Sequence, residues 1–300
     1  MKGEPANLAL PSHIKSEYRP ISCGKDLVVS FSHARTATLK RNFPTANLLH
    51  LVDSRHNYFL DRAGYASMRI ADWVEQQGFT RVCFTGASKG GFGALLWGLL
   101  AAKHAPSVTF KVLAFSPQTR LWPENEALYF PSYASLLKRV KKDDRLRKTI
   151  ERYGDLTALP PPKNFLATIV YGDQNRTDRG EAERLTHPRH KKYPVPFPFH
   201  ASRMPMSVDL SDKKAVEEAV AKIYRTAIND PDAIATLPPD QSQMVHALMR
   251  ETWIQPLDQM MDNIMSEPVH PAPRKAHGSW PSRIFMRFRT GLRQIRLGAD

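Results

Sequence analysis

The sequence predicts an α/β protein with a mostly parallel sheet flanked by helices, a helical insertion, and a helical, basic C-terminal extension. Three observations carry this. Short apolar runs that suit buried strands recur through residue 199. Segments with apolar residues at helical spacing separate them, as crossover helices do in a parallel sheet. One such strand runs straight into a glycine-rich turn that opens a strongly apolar helix.

Residues 1–24 are polar and Pro-punctuated and read as an irregular arm. Residues 26–31 (DLVVSF) and 47–52 (NLLHLV) are the first two strands, and 65–77 is a helix that stops at Gly78. Residues 81–85 (RVCFT) form the strand that enters Gly86-Ala87-Ser88-Lys89-Gly90-Gly91-Phe92-Gly93, and 94–104 is the apolar helix behind it. The strand 110–115 ends in Ser116-Pro117-Gln118. Residues 119–163 break the rhythm with Trp122, Pro123, a basic helical stretch at 137–152 and Pro160-Pro161-Pro162, and read as a cap-like insertion. Strand 165–171, a helix near 180–185, an extended segment 193–199 and an amphipathic helix 212–228 resume the pattern. After Asn229 the character changes. Residues 241–265 suit one or two Met-rich helices, 268–281 is a Pro/His/Gly linker, and the last stretch is basic. The organisation expected is an arm (1–24), a catalytic domain (25–229), a helical extension (230–267), then a linker and basic amphipathic tail (268–300).

Of 300 residues, 42% are hydrophobic and 24% charged, the balance of an ordinary globular protein. No apolar run approaches the roughly 18–20 residues of a membrane span, and residues 1–20 contain no apolar leader core. Two cysteines, Cys23 and Cys83, supply neither a disulfide framework nor a cysteine zinc site, so a reducing, cytoplasmic setting is expected. The excess of 43 Lys+Arg over 29 Asp+Glu, a formal +14, points to an acidic neighbour: nucleic acid, an anionic membrane face or an acidic glycan.

Gly86-Ala87-Ser88-Lys89-Gly90 fits G-x-S-x-G, the nucleophile elbow of α/β-hydrolases, with a strand before it and a helix after it. Small neighbours let strand and helix approach closely while the serine is held exposed on a strained turn, and the amide of the next residue, Lys89, faces the oxyanion. A rival is the phosphate loop of short-chain dehydrogenases, T-G-x-x-x-G-x-G, which would make the protein an NAD(P)-dependent oxidoreductase. Here two residues separate Gly90 from Gly93 instead of one, the loop does not open the fold, and no Tyr has Lys four positions later.

The chain order Ser…Asp…His then places the partners. After strand 165–171 come Asp173 and Asp178; Asp178 is preferred as the acid and Asp173 is the alternative. Helix capping is the competing reading of Asp178. His200 follows the last extended segment and is the base. His187 and His190, as His-x-x-His beside Pro188, read as a solvated loop in preference to a metal pair. The second oxyanion donor is expected from the Ser32 backbone N–H, with His33 lining the site. Neither cofactor nor metal is expected.

Ser88-Lys89-Gly90-Gly91-Phe92-Gly93-Ala94-Leu95 and Ala114-Phe115-Ser116-Pro117-Gln118 resemble an α/β-hydrolase family of bacterial surface-polysaccharide and glycoprotein-export loci, similar to the accessory-Sec glycan O-acetylation protein. The resemblance covers residues 25–228. It implies a serine esterase or O-acyltransferase acting on a glycan, with Ser88, Asp178 and His200 on the nucleophile, acid and base. An alternative is a catalytically silent hydrolase-fold scaffold in polysaccharide assembly. In the tail, 274–300 holds seven basic residues and one acid. On a helix, Ile284, Phe285, Phe288, Leu292 and Ile295 share one side, so 282–297 suits an anionic bilayer surface, hence a peripheral place on the inner membrane face. Docking on the protein's own core is the alternative, and nucleic acid ranks third.

Overall fold

The computed structural model describes residues 8–21, 24–32, 34, 46–227 and 240–269. His33, Cys23 and the basic tail lie outside the described residues. The described residues form one compact unit. Its centre is a seven-stranded sheet in the order β1-β3-β2-β4-β5-β6-β7. The strands are β1 (Ile14–Arg19), β2 (Asp26–Ser32), β3 (Asn47–Asp53), β4 (Arg81–Ala87), β5 (Thr109–Phe115), β6 (Phe165–Gly172) and β7 (His190–Val195). All neighbours are parallel except β1, which runs antiparallel to β3 with Ile14 opposite Asp53 and Arg19 opposite Leu48. The fold is α/β, a mostly parallel sheet flanked by helices, as the alternation of elements predicts.

Two strands differ from the sequence expectation. Ile14–Arg19 is not irregular: IKSEYR has little apolar patterning, and its strand is set by pairing with β3 and by Tyr18, whose ring meets Trp73 edge-on at 5.3 Å. The last strand starts earlier than expected, at His190, because the polar HKKYPV segment pairs with β6 while the apolar residues after Val195 turn away. Side-chain patterning cannot reveal an edge strand whose partner lies elsewhere in the chain.

Between the strands lie α1 (Ala63–Gln76), α2 (Lys89–His104), α3 (Pro131–Val140), α4 (Asp144–Tyr153) and α5 (Arg176–Glu183), and after β7 come the short α6 (Met204–Ser207) and α7 (Lys213–Ala227). The basic stretch expected at 137–152 is divided, because the Asp143 side chain accepts from the Arg145 and Leu146 amides and starts a new helix. The strands of a pleated sheet point alternate residues to opposite faces. Val29, Phe31, Phe84 and Val112 face α1 and α2. Val28, Cys83 and Leu113 face the other way, onto α7, α8 (Gln241–Arg250) and α9 (Leu257–Ser266). Met244, Leu248, Met260, Met261 and Ile264 thus bury the face that the shorter connections leave open. Lys111 of β5 also points there and is buried; its Nζ donates to the carbonyls of Ile264 (2.6 Å), Met265 (2.7 Å) and Glu267. No helix among the described residues is long and apolar enough to cross a membrane.

Candidate active site

Parallel strands deliver their carboxyl ends to one edge of the sheet, so the segments following β4, β5, β6 and β7 converge there. Ser88 follows β4 at φ 56°, ψ −125°, a positive-φ conformation unusual for serine. Its amide donates to the Phe115 carbonyl at 2.8 Å, which pins the turn to the end of β5. Gly86 is required by the approach of the helix: a Cβ there would lie 2.3 Å from the Gly90 carbonyl oxygen. The strain is held by α2, of whose sixteen residues all but four are buried.

Asp178 and His200 come to the same place. Asn175, not Asp178, caps α5: its side chain accepts from the Asp178 amide at 2.9 Å and donates to the Pro198 carbonyl at 3.1 Å. That leaves the Asp178 carboxylate available, and its Oδ1 lies 2.6 Å from His200 Nδ1. His200 Nε2 is 2.8 Å from Ser88 Oγ. The chain reaches His200 by crossing the end of β6, where a Cβ on Gly172 would sit 2.3 Å from the Phe197 carbonyl oxygen. Ser202 then ties this loop down, accepting from Ser116 Oγ at 2.9 Å and donating to the Val170 carbonyl at 3.1 Å. Phe130, from the 119–163 segment, lies against the imidazole with ring centroids 4.3 Å apart.

The Asp173 side chain makes no hydrogen bond to His200 among the described residues, where Asp178 takes Nδ1. Burial raises the Asp173 carboxyl above the ordinary range, with Arg179 partly opposing, and its Oδ1 is buried without a partner among the described residues. The Lys89 amide opens α2, directly after Ser88, where the first turn leaves N–H groups unpaired. The Lys89 side chain lies 3.0 Å from His56 Nδ1, and burial lowers its ammonium, with Asp53 partly offsetting. Ser32 ends β2, one residue beyond the Phe31 that pairs with Gly86, so its backbone reaches the same edge as the elbow. Its hydroxyl is within 3.2 Å of both Ala34 backbone groups. The glycines of a pyrophosphate cradle are engaged internally, Gly86 by Gly90 and Gly93 by the Phe59 ring.

Two further residues went unassigned from sequence. Gln118 Nε2 lies 3.0 Å from Ser88 Oγ and 3.2 Å from His200 Nε2. The buried Glu181, on α5 one turn after Asp178, accepts from the Thr119 and Arg120 amides and, at 2.7 Å, from Asn125 Nδ2, which fixes the loop carrying Gln118. In sequence Gln118 is marked by its place shortly after a strand end and within the resembling segment 114–118, neither of which assigns it a role. His190, by contrast, is not in a solvated loop: it begins β7 and is buried, and burial pushes it down to about 4, with His187 and Lys192 adding to the effect. No group of three or more His, Cys, Asp or Glu able to hold a metal ion occurs among the described residues. Buried Cys83 is raised to about 12 by desolvation, an inert thiol.

No protein-family model and no curated protein matches the chain. Solved structures do. An esterase of Pyrobaculum calidifontis is similar at 14% identity and TM-score 0.43, over 61% of this chain and 70% of that one. The acetyl xylan esterase 1 of a Thermoanaerobacterium species matches at 15% and 0.39, over 60% and 71%. An α/β hydrolase from a metagenome of lagoon sediments at Mar Chica, Morocco, matches at 15% and 0.38, over 60% and 84%. At such identities and scores they leave the roles of individual residues to the geometry.

Proposed function

We propose that the protein is a serine-dependent ester hydrolase or O-acyltransferase that works through an acyl-enzyme on Ser88. One observation carries the reading: Ser88 Oγ, on its strained turn, is 2.8 Å from His200 Nε2, whose Nδ1 is 2.6 Å from the buried Asp178. A carboxylate on Nδ1 holds the ring proton there and leaves Nε2 free to take the serine proton. His200 then acts as base for attack and as acid toward the leaving group. The amides of Lys89 and Ser32 are the proposed donors to the tetrahedral oxyanion. Water completes hydrolysis, and a sugar hydroxyl completes transfer. A glycan or surface-polysaccharide acyl ester is the proposed substrate class, resting on the resemblance in residues 88–95 and 114–118.

The test is labelling by a fluorophosphonate, with mass spectrometry of the modified peptide. Wild type is expected to label at Ser88, Ser88→Ala not at all, and His200→Ala at least about 10³-fold more slowly. Asp178→Asn should slow labelling steeply and Asp173→Asn hardly. A folded wild type that never labels would favour the scaffold reading instead.

A further inference from the structure

Among the described residues, two side chains meet the Ser88 hydroxyl: His200 and Gln118. The fold does not need the second contact. The loop holding Gln118 is fixed on one side by the Ser116 amide, which donates to the Val170 carbonyl at 2.8 Å, and on the other by Glu181. The Gln118 amide, 1% exposed, has an Oε1 that is buried without a partner among the described residues. A buried acceptor left unpaired is costly, and an unbranched apolar residue would fill the same space without that cost. The amide is therefore explained by what it touches.

Its orientation follows from proton accounting. The ring proton of neutral His200 sits on Nδ1, against Asp178, so Nε2 accepts the Ser88 O–H. The serine oxygen has then spent its only proton and can only accept, which sets the Gln118 N–H toward it at 3.0 Å. We propose that Gln118 is a catalytic residue for breakdown of the acyl-enzyme, donating to Ser88 Oγ as that oxygen becomes the leaving group. This rests on the acyl-enzyme reading above.

In that step the water or sugar hydroxyl adds to the acyl carbonyl and gives its proton to His200 Nε2. The tetrahedral intermediate collapses, the C–Oγ bond breaks, and its electron pair returns to Oγ, which takes the proton from Nε2. The ester oxygen of the acyl-enzyme is a weak acceptor, whereas the departing Oγ carries developing charge. A donor fixed at Oγ therefore favours the transition state over the acyl-enzyme. In acylation the donor is already bonded to the free hydroxyl, so its effect there is small.

The experiment compares wild type with Gln118→Met, which keeps length and flexibility, and Gln118→Leu as a second shape. Fluorophosphonate labelling reads acylation. Stopped-flow p-nitrophenyl acetate hydrolysis, with mass spectrometry of the quenched protein, reads deacylation. The expected result is labelling within about 3-fold of wild type in both variants. Acetyl-Ser88 should accumulate, and its hydrolysis should slow by about 10-fold, less than loss of a full oxyanion-hole donor because Nε2 still supplies the proton. Equal losses in both steps would overturn the proposal in favour of a packing role, as would deacylation at the wild-type rate. A wild type that never labels would remove the acyl-enzyme reading itself, and this proposal with it.

Discussion

One face of the sheet is closed by α1 and α2, which lie in sequence between the strands they cover. The opposite face is closed by α7, α8 and α9, which follow all the strands. The first core is aromatic and directional. Trp97 meets Phe31 at 5.3 Å and Phe59 at 5.7 Å, both near-perpendicular, and donates its indole N–H to the Phe59 carbonyl at 2.8 Å. The second core is rich in methionine, whose unbranched side chains adapt to irregular gaps. Its orientation comes from a polar anchor instead, the three carbonyls gathered by Lys111. The elbow stands at the edge between them, so the face that must hold a strained serine is the one with the most specific packing.

The largest effect is expected from breaking that aromatic packing. Trp97→Ala opens a cavity and leaves the Phe59 carbonyl without its donor, a loss of about 4–5 kcal/mol. Because Phe59 also packs on Gly93, fluorophosphonate labelling should fall with stability. Urea unfolding measures it, with the midpoint shifted and the slope unchanged. A loss under about 2 kcal/mol would mean the first face is as adaptable as the second.

Lys111→Met tests the other half. The substitution keeps the apolar stem but leaves the carbonyls of Ile264, Met265 and Glu267 unanswered at the C-terminus of α9, where a cation also opposes the helix dipole. Burial lowers the Lys111 ammonium to about 8, so part of the loss is returned when the charge is removed. The net cost expected is about 2–3 kcal/mol. Hydrogen exchange should place it: amides of 257–267 lose protection while those of β4 and β5 keep theirs. Uniform loss across the sheet would show that α9 is not a separately anchored layer.

This contrast also explains what could be read from sequence. Strands β2 to β6 are buried on both faces, so their apolar runs are continuous, and the G-x-S-x-G turn is recognisable because the elbow needs those small residues in order. His200 and Asp178 were placed by chain order and by their positions after strand ends. Gln118 and Glu181 were not, because their roles come from contacts between segments 30, 62 and 82 residues apart and leave no local pattern. Strand β1 and the start of β7 were missed for the same reason: edge strands take their conformation from partners. Lys111 is the sharpest case. A lysine within TFKVLAF breaks an apolar run, and only the distant C-terminus of α9 accounts for it.

The smallest effect concerns a second buried titratable group, His190, which differs from Lys111 in having no polar anchor. Both its ring nitrogens are buried without a hydrogen-bond partner among the described residues, and the ring rests edge-on against Phe165 of the first core at 6.2 Å. Burial, aided by His187 and Lys192, lowers its folded value to about 4 from an unfolded value near 6.5. As pH falls below about 6.5 the unfolded chain binds a proton that the folded chain refuses, so stability declines until about pH 4 and then levels. Between pH 7 and pH 5 the loss from this group is about 1–2 kcal/mol. Other groups titrate in the same range, including buried His13, whose value desolvation also lowers. The measurement is therefore the difference between wild type and His190→Leu in urea midpoints at pH 7, 6 and 5. The variant should gain on wild type as the pH drops. Parallel curves would mean that the folded protein accepts the proton at His190, and that an unanchored histidine beside the aromatic core is no more sensitive to pH than an exposed one.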